Sequence, residues 1–98
     1  RHHAFEMQDY ARDRLLELGC ALRGAGHDRR RRSGIMAFRH PRFDSRDLAK
    51  RLRVRDCIFA LERDGHVRLS MHVYSQRAGI DRLIQVLKRL LDEKARPL

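Results

Sequence analysis

Arg68, Ser70 and His72 stand two residues apart in a stretch where apolar and polar residues alternate. Side chains on an extended strand point to opposite faces in turn, so this spacing gathers a guanidinium, a hydroxyl and an imidazole on one side. Asp64-Gly65 lies just upstream, and an Asp-Gly pair between two strand-like runs is a strong signal for a two-residue type I′ hairpin turn. Pairing then runs from Arg63 with His66 through Glu62 with Val67, Leu61 with Arg68, Ala60 with Leu69, Phe59 with Ser70 and Ile58 with Met71 to Cys57 with His72. Ile58, Ala60, Val67, Leu69 and Met71 form a plain core face. The opposite face mixes Phe59 and Leu61 with Arg68, Ser70 and His72. That mixture fits either an ordinary outer face or contact with something partly apolar and partly anionic.

Other candidate chemistry is thinner. Cys20 and Cys57 lie far apart with no CxxC pairing, which indicates neither a disulfide framework nor a zinc knuckle, and each reads as a small buried hydrophobe. Of the six histidines, His2 and His3 are adjacent at one end, and His27, His40, His66 and His72 fit no ligand spacing such as HExxH, so no metal is expected. The formal charge of +10 and the run Arg29 to Arg32 are the footprint of a phosphate binder. Against that, aromatic residues make up only 6% of the chain, and basic residues are spread along its whole length. Nearly all of them are arginine; the three lysines are Lys50, Lys88 and Lys94.

The elements that would carry these residues follow from periodicity. Ala4, Met7, Ala11, Leu15, Leu18 and Leu22 form one stripe of an amphipathic helix, with Gly24 and Gly26 as its stop and His27 to Arg32 as a polar connector. Gly34 to Phe38 is a short continuous apolar run, read as a strand covered on both faces. Asp44 is a good N-cap, with Phe43 and Leu48 as a hydrophobic staple, for a helix from about Ser45 to Arg53 that buries Leu48, Ala49 and Leu52. After the hairpin, Ile80, Leu83, Ile84, Leu87, Leu90 and Leu91 mark a second amphipathic helix that frays at Ala95 to Pro97. The expected order is helix, strand, helix, strand, strand, helix. Helices on one face of a mainly antiparallel three-stranded sheet make a single α+β domain spanning residues 1–98. No apolar run is long enough for a membrane span and no signal segment opens the chain, so a cytoplasmic location is expected.

Three segments in this order resemble a known family. They are Arg32-Ser33-Gly34-Ile35-Met36-Ala37-Phe38, then Asp64 to Ser75 with its Arg68-Leu69-Ser70-Met71-His72-Val73-Tyr74 core, then Gly79-Ile80-Asp81-Arg82-Leu83. The order and spacing are similar to the C-terminal small domain of the class V aminotransferases. These are fold-type I pyridoxal-phosphate enzymes that include cysteine desulfurases, kynureninases and isopenicillin N epimerase-like proteins. Ser75 departs from the asparagine that often follows the tyrosine in that pattern.

The resemblance implies the smaller part of a larger dimeric enzyme that acts on an amino acid, with pyridoxal phosphate bound as a lysine aldimine in a large N-terminal domain. It assigns Arg68 to the substrate's α-carboxylate and leaves Ser70 and His72 as possible lining of the site, though packing or hydration is the simpler explanation for those two. The chemistry suits arginine, a rigid two-donor fork that stays charged when water is excluded. Lys50, Lys88 and Lys94 fall on or beside charged helix faces, and none looks able to form the aldimine, so the isolated chain is expected to be inactive and to hold no cofactor. Cys57 precedes a turn too tight for a mobile nucleophile loop, which disfavours a cysteine desulfurase. The alternatives are a basic nucleic-acid-binding domain and a stand-alone interaction module.

Overall fold

The computed structural model describes residues 3–23, 36–70 and 76–95. The elements in chain order are α1 (His3–Glu17), β1 (Ala21–Arg23), β2 (Met36–Arg39), α2 (Ser45–Asp56), β3 (Ala60–Arg63), β4 (His66–Leu69) and α3 (Arg77–Ala95). The strands form one antiparallel sheet in the order β1-β2-β4-β3. The α+β class matches the sequence reading, but the sheet has four strands where three were expected.

The added strand comes from an earlier helix stop. α1 ends at a turn in which Gly19 adopts φ +93°, a conformation costly for any residue with a Cβ, and the Cys20 amide donates back to the Leu15 carbonyl (3.1 Å). Leu22, expected on the helix stripe, therefore lies in β1 opposite Phe38. Gly24 and Gly26, the anticipated stop, and the basic run Arg29 to Arg32 lie outside the described residues.

Among the described residues the helices cover β2 on one face, where cover on both was expected. Its Met36 and Phe38 turn toward the helices, and Phe38 is fully buried, worth about 1.5–3 kcal/mol for an aromatic side chain taken out of water. Its Ala37 and Arg39 occupy the other face. Core residues come from all three helices and from one side of the sheet: Ala11 and Leu15, Leu48 and Leu52, Ile80, Leu83 and Leu87, with Phe38, Ala60, Val67 and Leu69 beneath. The three described helices thus pack on the same side, and among the described residues no helix covers the second sheet face.

Asp44 caps α2 as expected, accepting from the Asp47 amide (3.0 Å). The helix runs on to Asp56, beyond the expected Arg53, because its stop is Cys57 in the left-handed region with the Ile58 amide closing onto the Leu52 carbonyl (2.8 Å). Ile58 and Leu52 are both buried, the hydrophobic pair that accompanies such a cap. Cys57 itself is exposed, contrary to the buried role assigned to it, whereas Cys20 is buried as read.

The hairpin forms in the expected register from its turn to Phe59 and Ser70, but Cys57, expected to pair with His72, ends α2 instead, and Met71 and His72 lie outside the described residues. Asp64 (φ 55°) and Gly65 (φ 78°) make the turn, the pairs run from Arg63 with His66 to Ala60 with Leu69, and the Ser70 amide continues the ladder to the Phe59 carbonyl (3.4 Å). Ser45 fastens α2 to this turn, its hydroxyl donating to the Gly65 carbonyl (2.7 Å). The outward carbonyl of Ala60 on edge strand β3 is taken by Arg53 of α2 (2.6 Å), which blunts an edge otherwise open to further pairing. α1 and α3 are joined where the Tyr10 hydroxyl donates to Asp81 (2.5 Å) and the Arg77 guanidinium lies 4.6 Å from the Tyr10 ring centre. Among the described residues no helix is long and apolar enough to cross a membrane.

Candidate functional site

The open sheet face is built by strand parity. Every second residue of β1, β2, β4 and β3 projects onto it, and the register fixes the neighbours. One row reads Arg23, Ala37, Arg68, Leu61. The adjacent row, toward the hairpin turn, reads Ala21, Arg39, His66, Arg63, with Arg39 placed opposite His66 by continuing the β2 to β4 ladder one step. Phe59 and Ser70 form the next row on the far side of Arg68. Phe59 is 58% exposed and Leu61 49%, so the apolar half of the mixed face is real surface.

Arg68 sits in β4, an inner strand of the sheet, and is half-buried. Its guanidinium makes no hydrogen bond or ion pair with another described residue, which leaves a positive fork without a carboxylate partner among the described residues. Ser70 shares the face, and its hydroxyl oxygen is buried with no hydrogen-bond partner among the described residues. His72 lies outside the described residues.

The sequence reading missed the rest of the array. Arg23, Arg39 and His66 join Arg68 around Ala37. Carboxylates near them are already engaged: Asp64 pairs with Arg23 (3.4 Å), and Glu62, on the helix side, accepts from the Gly65 amide (2.9 Å) and faces Arg46 at 3.9 Å. The signal was present in the parity of β2, where Arg39 follows Ala37 by two. Using it required knowing that β2 pairs with β4 rather than with β3, and that pairing is long-range.

At the turn end of the sheet a groove of about 750 Å³ opens beside the open face. Ala21, Arg39, His40, Pro41, Arg46 and Gly65 are among its lining residues. His40 is structural here. Its Nε2–H donates to the Leu18 carbonyl (2.9 Å), Nδ1 accepts from the Arg42 amide (3.1 Å), and its ring packs against Phe43. His66 donates from Nδ1 to the Asp64 carbonyl (3.0 Å). No group of three or more His, Cys, Asp or Glu among the described residues is arranged to hold a metal ion.

Neither cysteine stands in the array. Burial pushes the Cys20 thiol up to about 11, so it stays protonated and inert. Cys57 is at the end of α2, and the turn between β3 and β4 is two residues long and holds no thiol. Lys50 of α2 and Lys88 and Lys94 of α3 are exposed on helices, with Lys94 lying over the Phe43 ring (5.4 Å). None of the three reaches the open face by strand parity. No protein-family model, curated protein or solved structure matches the chain.

Proposed function

We propose that residues 1–98 are the C-terminal small domain of a class V aminotransferase-like enzyme acting on an amino-acid substrate, with Arg68 as the anchor for the substrate's α-carboxylate. The observation that carries this reading is the position of Arg68: an inner strand, a sheet face that no described helix covers, and a guanidinium with no carboxylate partner among the described residues. A carboxylate bound there receives two parallel N–H donors, and covering the face with a second domain removes water and strengthens the pair. Ser70 shares the face with Arg68 in this reading.

The residues of this chain do not fit a pyridoxal phosphate site. An aldimine needs a lysine that a pocket can desolvate, and Lys50, Lys88 and Lys94 are all solvent-facing on helices. The cofactor belongs, in this reading, to a large N-terminal domain of the same protein, which docks on the open face and dimerises. The chain by itself is then inactive, and a desulfurase reaction is not proposed because the hairpin carries no cysteine.

The test is Arg68→Ala in the complete polypeptide. Losing a charged, bidentate contact worth roughly 1.5–3 kcal/mol raises KM for the amino acid about 10- to 100-fold while the cofactor absorbance is retained. Unchanged substrate kinetics, or a complete polypeptide with no Schiff-base lysine, would reject the assignment. A second reading, a stand-alone domain that binds single-stranded nucleic acid, is favoured by the gathering of Arg23, Arg39, Arg63 and Arg68 on one face beside exposed Phe59. It requires oligonucleotide affinity that falls steeply with salt and depends on Phe59.

A further inference from the structure

We infer that the open face carries a two-anion basin centred on Ala37, in which Arg68 takes one carboxylate and Arg39 takes a second, so that the substrate is an acidic amino acid with a carboxylate on its side chain. This rests on the reading of Arg68 given above and adds its substrate class.

The basin follows from the register. Ala37 is flanked across the ladder by Arg23 on one side and Arg68 on the other, and Arg39 follows it by two on its own strand. Ala21 lies beside Arg39. Small side chains at Ala21 and Ala37 therefore alternate with long cationic ones, which leaves a floor of methyl groups walled by guanidiniums. Arg39 and Arg68 are diagonal neighbours across adjacent strands, a separation of roughly 7–8 Å at the backbone that long side chains easily close or widen.

The charges select an anion with two heads. Of the three arginines around Ala37, Arg23 is held by Asp64, and the other acids bordering the groove are also occupied: Asp44 caps α2 and Glu62 binds the Gly65 amide. Arg39 and Arg68 are left with no carboxylate from the described residues. Arg39 and Ala21 also line the groove at the turn end, where Arg46 faces Glu62, so the basin adjoins it on the side away from Arg68. A single carboxylate would engage one of the two forks and leave the other solvated.

The experiment titrates the 98-residue chain with glutarate and, separately, with butyrate, a monoacid of similar length, following backbone amide shifts by NMR. Glutarate is expected to bind about tenfold or more tighter than butyrate, with the largest shifts at Ala37, Arg39 and Arg68. Arg39→Ala should reduce glutarate to the affinity of butyrate. Ala37→Leu, which fills the floor without changing charge and sits on the open face away from the core, should abolish binding of both acids with the melting temperature retained. Equal affinity for the two acids, or glutarate binding indifferent to Arg39→Ala, overturns the basin. If both acids bind equally and both are lost in Arg68→Ala, the carboxylate anchor stands and only the second subsite falls. If neither acid binds, or binding is indifferent to Arg68→Ala, both fall.

Discussion

Replacing Cys57 with glycine should stabilise the chain, although it removes a side chain and introduces the most flexible residue. Cys57 ends α2 at φ 56°, ψ 32°, in the left-handed region where a Cβ crowds the following carbonyl. For a residue other than glycine that conformation costs roughly 1–2 kcal/mol. Glycine removes this cost and gives back up to about 1 kcal/mol through the extra freedom of the unfolded chain. The thiol is exposed, and the cap's hydrogen bonds to the Leu52 carbonyl are all backbone, so the substitution forfeits little else. The net gain is about 0.5–1 kcal/mol, or a rise in melting temperature of roughly 2–8 °C for a domain of this size. The assay is thermal unfolding followed by far-UV circular dichroism under reducing conditions, with Cys57→Ala as control. Alanine keeps the Cβ and so should melt close to the parent. A glycine variant that melts at or below the alanine variant would refute the reasoning, and with it the placement of the α2 stop.

Two further outcomes follow from the thiols and from the first helix stop. A thiol reagent at mildly alkaline pH should add one label to the folded chain, at Cys57, with Cys20 labelled only on unfolding, as mass spectrometry of the intact protein will show; rapid double labelling would contradict the burial of Cys20. The same raised thiol means the unfolded chain releases the Cys20 proton at lower pH than the folded one. The contribution is therefore fully present below the ordinary thiol range near about 8.5 and is lost as pH climbs toward about 11. Melting temperatures measured across that window should fall more in the parent than in Cys20→Ala. Gly19→Ala should destabilise by roughly 1–3 kcal/mol, because φ +93° is strained for alanine and the new Cβ would sit 3.3 Å from Nε2 of His40. An unchanged denaturation midpoint would show that α1 ends elsewhere.

Much of the fold was legible locally. The Asp44 cap, the Asp64-Gly65 turn, the hairpin register and the apolar stripe of α3 each depend on residues within one or two turns of chain, and each formed as expected. The errors share one cause. β1 has three residues, too few for a periodic pattern, and Leu22 matched the spacing of the preceding helix better than it advertised a strand. β2 read as buried on both sides because an apolar run reports low polarity without saying which face meets the helices. Cys57 looked like a core residue by type, but a left-handed helix stop turns its side chain outward.

The candidate site divides in the same way. Sequence by itself determined that Arg68, Ser70, Phe59 and Leu61 share one hairpin face, because a two-residue turn and a period of two leave no other arrangement. It could not determine that no described helix covers this face, that Arg68 lies on an inner strand, or that Arg39 and Arg23 are neighbours of Ala37 on the same face. Those facts depend on β2 pairing with β4 across some thirty residues of chain, and on all three helices choosing one side of the sheet. Local propensity is indifferent to such choices; they are made by the burial of Phe38, Val67 and Leu69 against helices distant in sequence.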